Sequence, residues 1–229
     1  MTQVWSLIGF LAAIHGVLLG TVFYLHPKLD KRKRFYFSLI IIPFSFCLAE
    51  YSGYWSYYLL SYPHLAFTTI SFPYLFGPLL FFLTREFIET ETNFKTSDLL
   101  HFLPAIIHLS LNLDFYSNTS EEKEQILRLL IYSNEPHFSS LFYVMKFVLL
   151  VQAFTYIGSS WKSSAVLVRR ERQFLRFLAV GIGLYIIQSF FQAVNIYLSG
   201  YEFIFQLGAT LVISSSLMLY FITYASILN

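Results

Sequence analysis

Long apolar runs separated by short polar or charged breaks make up most of the chain. A helix needs about 20 mostly apolar residues to cross a hydrocarbon core roughly 30 Å thick. Seven runs approach that length, at 4–25, 35–60, 67–84, 99–116, 138–158, 174–198 and 203–228. The pattern predicts an all-α membrane protein, a single seven-transmembrane-helix bundle over residues 1–229. The run 99–116 is among the shortest, and Asp114 interrupts it near its end. The longest break, 116–137, carries Thr119 and Glu122 at capping-box spacing ahead of Ile126, Leu127, Leu130 and Ile131. Their spacing makes one apolar stripe, so a short amphipathic helix is expected there on the outer surface. It reads as an interfacial connector, with a lid over an outer cavity as the sharper alternative.

Composition agrees with that solvent. Hydrophobic residues are 56 % of the chain and charged residues only 12 %, which excludes the mixture of a soluble globular domain. The N-terminal run lacks a preceding basic region and a small-residue cleavage site, so it reads as a retained helix and not as a signal peptide. The single cysteine, Cys47, excludes an intramolecular disulfide and a cysteine metal cluster. Charge placement then orients the bundle. An outside N-terminus makes the connections 26–34, 85–98 and 159–173 cytoplasmic. The first holds Lys28, Lys31, Arg32, Lys33 and Arg34, and the third Lys162, Arg169, Arg170 and Arg172, with Arg176 just beyond. The opposite side has Lys123 and Arg128 amid Asp114, Glu121, Glu122, Glu124 and Glu135. Cytoplasmic loops are enriched in Lys and Arg, which predicts the N-terminus outside and the C-terminus cytoplasmic. The basic clusters would meet anionic headgroups of the lipid bilayer, and they sit in no DNA-reading module.

Several features inside the runs carry chemistry. Gly9, Ala13, Gly16 and Gly20 fall on one face of the first helix and let another helix approach closely. Packing within the chain is the expected use, and a homodimer through Gly16 and Gly20 is the alternative. Pro43, Pro73, Pro78 and Pro104 remove backbone donors and favour bends, and the Gly77-Pro78 pair is the expected hinge. Ionisable groups at membrane depth need partners, which singles out His15, Glu50, His108 and Lys146. Counting from the outer ends places Glu50 and Lys146 at similar depth, about 12 to 15 Å at 1.5 Å per residue, so an ion pair between them is expected. With Gln192, Asn195 and Gln206 in the outer half, Glu50, His108 and Lys146 form a candidate polar pocket for an unknown ligand. An internal hydrogen-bond network is the equal alternative. No HExxH, GxSxG, phosphate loop or GxGxxG is present, and the histidines are scattered, so neither catalysis nor a metal or other cofactor is expected.

The segment 70–109 contains ISFPYLFGPLLFFLTREF and DLLHFLPAIIHL. It resembles the membrane-embedded N-terminal sensor region of bacterial AraC-type helix-turn-helix transcription regulators. In that group P-x-L-x-G-P-L-L ends one helical region and H-F-x-P opens the next. Here the positions are Pro73, Leu75, Gly77, Pro78, Leu79 and Leu80, then His101, Phe102 and Pro104. The first helix with Gly16 and Gly20, its basic loop and the Tyr-rich end of the second helix are also similar. The resemblance implies a sensory, signal-transducing domain of the bacterial inner membrane, whose cytoplasmic DNA-binding output module would follow Asn229. That module is missing here, so no nucleic acid is bound by this chain itself and DNA is reached only through it. A small membrane transporter or channel is the alternative, against which stand the lack of an internal repeat and of paired broken helices.

Overall fold

The fold comes from a computed structural model, which describes residues 2–27, 30–89, 94–132 and 140–199 together with Ser215, Ser216 and Leu219. Every regular element among them is helical. Four helical stretches, Val4–Leu25, Lys31–Tyr54, Ser140–Val166 and Arg169–Phe191, are long and apolar enough to cross a membrane, as a multi-pass membrane protein requires.

Helix α1 (Thr2–Leu25) shows why hydrocarbon suits this surface. Val4, Leu7, Leu11, Ile14, Leu18 and Val22 form an outward stripe, each 53 to 60 % exposed. Such a stripe is unfavourable in water and costs nothing among lipid tails. The opposite, small-residue face packs on α2 (Lys31–Trp55). A Cβ on Gly20 would lie 2.6 Å from Ile42 Cγ1, and one on Gly16 would collide with Ser45 Oγ. Ser38 Oγ donates to Gly20 O at 2.8 Å across the same contact. The glycines are thus spent on packing within the chain. Asp30 caps α2, its Oδ1 accepting from Arg32 N at 2.9 Å and Lys33 N at 3.2 Å.

Helix α2 ends at Trp55, short of the expected residue 60. Tyr57 takes a left-handed backbone (φ 58°), and a short helix, α3 (Tyr58–Ser61), and a 3-10 turn (Pro63–Leu65) follow. Residues 66–72 are turns, not the start of a span as the apolar run 67–84 suggested. Helix α4 (Pro73–Ile88) begins at Pro73, whose missing N–H costs nothing at a helix start. It is the central element, packed against α2, α8 (Ser140–Ser163) and α9 (Arg169–Ser199), with Tyr74, Phe76, Leu80, Phe82 and Leu83 fully buried. Phe44, Phe76 and Tyr185 join three helices through ring centroids 5.0 to 6.0 Å apart.

The run 99–116 is not one helix. It divides into a 3-10 turn (Thr96–Phe102), α5 (Leu103–Ser110) and α6 (Leu113–Ser117). At eight residues α5 is about 12 Å long, too short to cross alone. Asn112 ends it by donating its side-chain amide to His108 O at 2.6 Å. Helix α7 (Ser120–Tyr132) starts with the expected capping box, Thr119 N donating to Glu122 Oε2 at 2.8 Å and Glu122 N to Thr119 Oγ1 at 3.3 Å. Its Leu127 is fully buried against Leu59 and Ala66 in a small second core that includes Tyr54, Phe67 and Phe115. The helix is therefore a cap closed over residues 58–67 rather than a loose connector. Helices α8 (Ser140–Ser163) and α9 (Arg169–Ser199) complete the described bundle. The expected seventh run lies outside the described residues, except for Ser215, Ser216 and Leu219, which are helical and buried.

Candidate functional site

A non-helical stretch inside an apolar bundle exposes backbone N–H groups that hydrocarbon cannot satisfy, so side chains must. Glu50 on α2 does this for residues 67–69. Its Oε1 accepts from Phe67 N at 2.7 Å and Tyr54 OH at 3.3 Å. Its Oε2 accepts from Thr69 N at 2.8 Å, Thr69 Oγ1 at 2.7 Å and Thr68 Oγ1 at 3.2 Å. Both oxygens are fully engaged, and the carboxylate acts as a staple between α2 and the turn. Phe67 holds a left-handed backbone (φ 60°), a conformation disfavoured for a bulky residue. The staple, together with Tyr116 OH donating to Phe67 O at 2.7 Å, holds that residue in place.

The same segment gathers other candidates. Ser71 Oγ and His108 Nδ1 are 3.0 Å apart, and the His108 ring lies 4.7 Å from that of Tyr74. Tyr74 OH donates to Met145 O at 2.7 Å. Thr69 O lies 3.9 Å from the buried Cys47 Sγ. Residues 67–74 are thus a polar hub that touches α2, α5 and α8. His108 is 2 % exposed, so it is packed into this hub rather than open to solvent.

The expected Glu50–Lys146 ion pair is not formed. Lys146 Nζ donates instead to Ser189 Oγ on α9 at 3.1 Å and sits 5.4 Å from the centre of the Phe142 ring. The physical reason is competition: the backbone donors Phe67 N and Thr69 N, past the true end of α2 at Trp55, claim the carboxylate. Depth counting overlooked them because it assumed a longer helix. Glu50 and His108 therefore share one hub, while Lys146 links α8 to α9 beside it. Gln192 and Asn195 ride on α9 with side chains outside the described residues, as is all of Gln206.

The cap adds residues that spacing did not single out. Lys123, 5 % exposed, donates to Tyr116 O at 2.9 Å and reaches His64 Nδ1 at 3.1 Å. Since an ammonium only donates, Nδ1 acts as the acceptor in this contact. A signal for the hub was present in the run Thr68, Thr69 and Ser71 just before Pro73, polar side chains where an uninterrupted span would be apolar.

Gly77 and Pro78 lie within an unbroken α4, and Gly77 serves close approach. A Cβ there would lie 3.0 Å from Tyr156 Cδ2 on α8. Tyr156 OH is hydrogen-bonded to His101 Nδ1, and Gln152 Nε2 donates to His101 O at 3.3 Å. The two short motifs of the central segment thus meet on one tyrosine. Below them Arg85 pairs with Asp98 at 3.0 Å. That contact, with the Lys95 N–H donating at 3.1 Å, holds the Asp98 carboxyl below the usual carboxylate range. No protein-family model, curated protein or solved structure matches the chain.

Proposed function

We propose that the chain is a sensory domain of the bacterial inner membrane, a seven-helix bundle that passes a signal from its outer cap to a cytoplasmic output module of the AraC type. One observation carries this reading: the cap packs against Phe67 through the Leu127 cluster, Glu50 ties Phe67 to α2, and Ser71 and Tyr74 of the same hub reach α5 and α8, so a change at the cap reaches all three helices. Charge supports the orientation. Lys31 to Arg34, Arg85, Lys162 and Arg169 to Arg172 lie at one end of the described helices, and Asp114, Glu121, Glu122 and Glu124 at the other. The N-terminus is then outside and the C-terminus cytoplasmic. The meeting of Gly77 and His101 on Tyr156 gives the motifs behind the AraC resemblance a shared structural purpose.

A signal shifts the output only if it favours one packing over another. The test fuses a dimerisation-dependent DNA-binding reporter after Asn229. At equal membrane abundance, Thr69→Val changes reporter output by about fivefold, the lower range of typical coupling, while Phe154→Leu on the exposed face of α8 does not. Output indifferent to Thr69→Val, together with solute flux in proteoliposomes, would instead favour a transporter or channel.

A further inference from the structure

We infer that the cleft at the basic end, between the start of α2 and the end of α4, binds a phosphate-bearing anion, carried by a lipid headgroup or free in solution. The cleft encloses about 480 Å3, and its lining includes Lys31, Arg32, Arg34, Glu86, Tyr36 and Phe94. Three cations face one carboxylate, which leaves the wall positive.

Two features make this more than a solvated charge run. The first is position. Cations in the opening turn of a helix oppose its macrodipole and repel one another, a cost that a bound anion relieves. The helix N-terminus itself is not the receptor, because Asp30 already takes the Arg32 and Lys33 N–H groups. The second is Arg34. Its Nη1 donates to His26 O at 2.7 Å, which fixes the guanidinium, while its Nε is buried without a hydrogen-bond partner among the described residues. A fixed guanidinium with an unused N–H matches the geometry of a phosphate oxygen. Glu86 sets a limit on the charge that can enter, favouring a singly charged phosphodiester over a multiply charged phosphate chain. Aromatic walls such as Phe94, 50 % exposed, suit the apolar part of a lipid or a phosphate ester. The cleft would do this whichever side of a membrane it faced.

The test uses the full chain in nanodiscs. One arm mixes phosphatidylglycerol into phosphatidylcholine and counts retained anionic lipid by native mass spectrometry. The other holds phosphatidylcholine alone and follows thermal unfolding as inorganic phosphate is added. Arg34→Lys keeps the charge but removes Nε, and Arg169→Gln alters a basic site that does not line the cleft. Arg34→Lys should weaken retention or the phosphate response roughly tenfold, the effect of one charge-assisted hydrogen bond, while Arg169→Gln leaves it unchanged. A response in the lipid arm alone assigns the headgroup, and one in the phosphate arm assigns a soluble phosphate. Should Arg34→Lys not fold, Lys31→Gln at an exposed position replaces it. Equal retention by wild type, Arg34→Lys and Arg169→Gln, with no phosphate response, would overturn the site and leave only general surface attraction.

Discussion

Replacing Glu50 by alanine removes the acceptor of the Thr69 N–H and leaves the Phe67 N–H only its longer bond to Tyr54 OH at 3.3 Å. Each hydrogen bond to a charged group is worth about 1.5 to 3 kcal/mol, so Glu50→Ala should cost on the order of 3 kcal/mol. Glu50→Gln keeps one acceptor oxygen and should cost less, as unfolding in detergent micelles can measure. Because Lys146 is held by Ser189, reversing both charges should not restore the yield lost on reversing either. Asp98 supplies the pH dependence. Its folded carboxyl titrates below the ordinary aspartate range of about 4, so its contribution is complete above that range. It is lost as pH falls through the lowered folded value. The stability difference between wild type and Asp98→Asn should therefore be flat near neutrality and vanish in acid. A difference that grows on acidification would contradict the Arg85 contact as its source.

At the scale of elements, the α1–α2 hairpin depends on contact between backbones. A valine at position 20 would meet Ile42 and break the Ser38 hydrogen bond to Gly20 O, so Gly20→Val should destabilise the hairpin, by about 1 to 3 kcal/mol for overpacking. Leu18→Val, on the exposed stripe of the same helix, should be nearly neutral; equal losses would deny that the stripe faces lipid. The long helices α1, α2, α8 and α9 were legible because an unbroken apolar run and the solvent it implies determine one another. So was the start of α7, since a capping box is local. The break in 99–116 and the late start of α4 were not, because hydropathy reports how apolar a segment is and not where its backbone hydrogen bonds go. The staple was hidden for the same reason: Glu50 lies 17 and 19 residues from Phe67 and Thr69, and no local spacing encodes that meeting. Gly77 looked like a hinge in the sequence because its partner, Tyr156, is four helices further on by chain order.

For the whole molecule, the cap packs on the hub through Phe67, and Glu50 ties that hub to α2, the helix that opens on the basic cluster Lys31 to Arg34. In the proposed orientation the cap lies outside and the basic cleft inside. The chain has a single cysteine, and it is buried, so Cys47→Ser gives a background for placing one reactive thiol at a time. The most direct measurement labels Glu121→Cys, in the first turn of α7, and Lys162→Cys, in the last turn of α8, with a membrane-impermeant maleimide. In intact spheroplasts the account requires labelling at position 121 and none at position 162 until the membrane is permeabilised. Labelling of both before permeabilisation, or of position 162 alone, would contradict it.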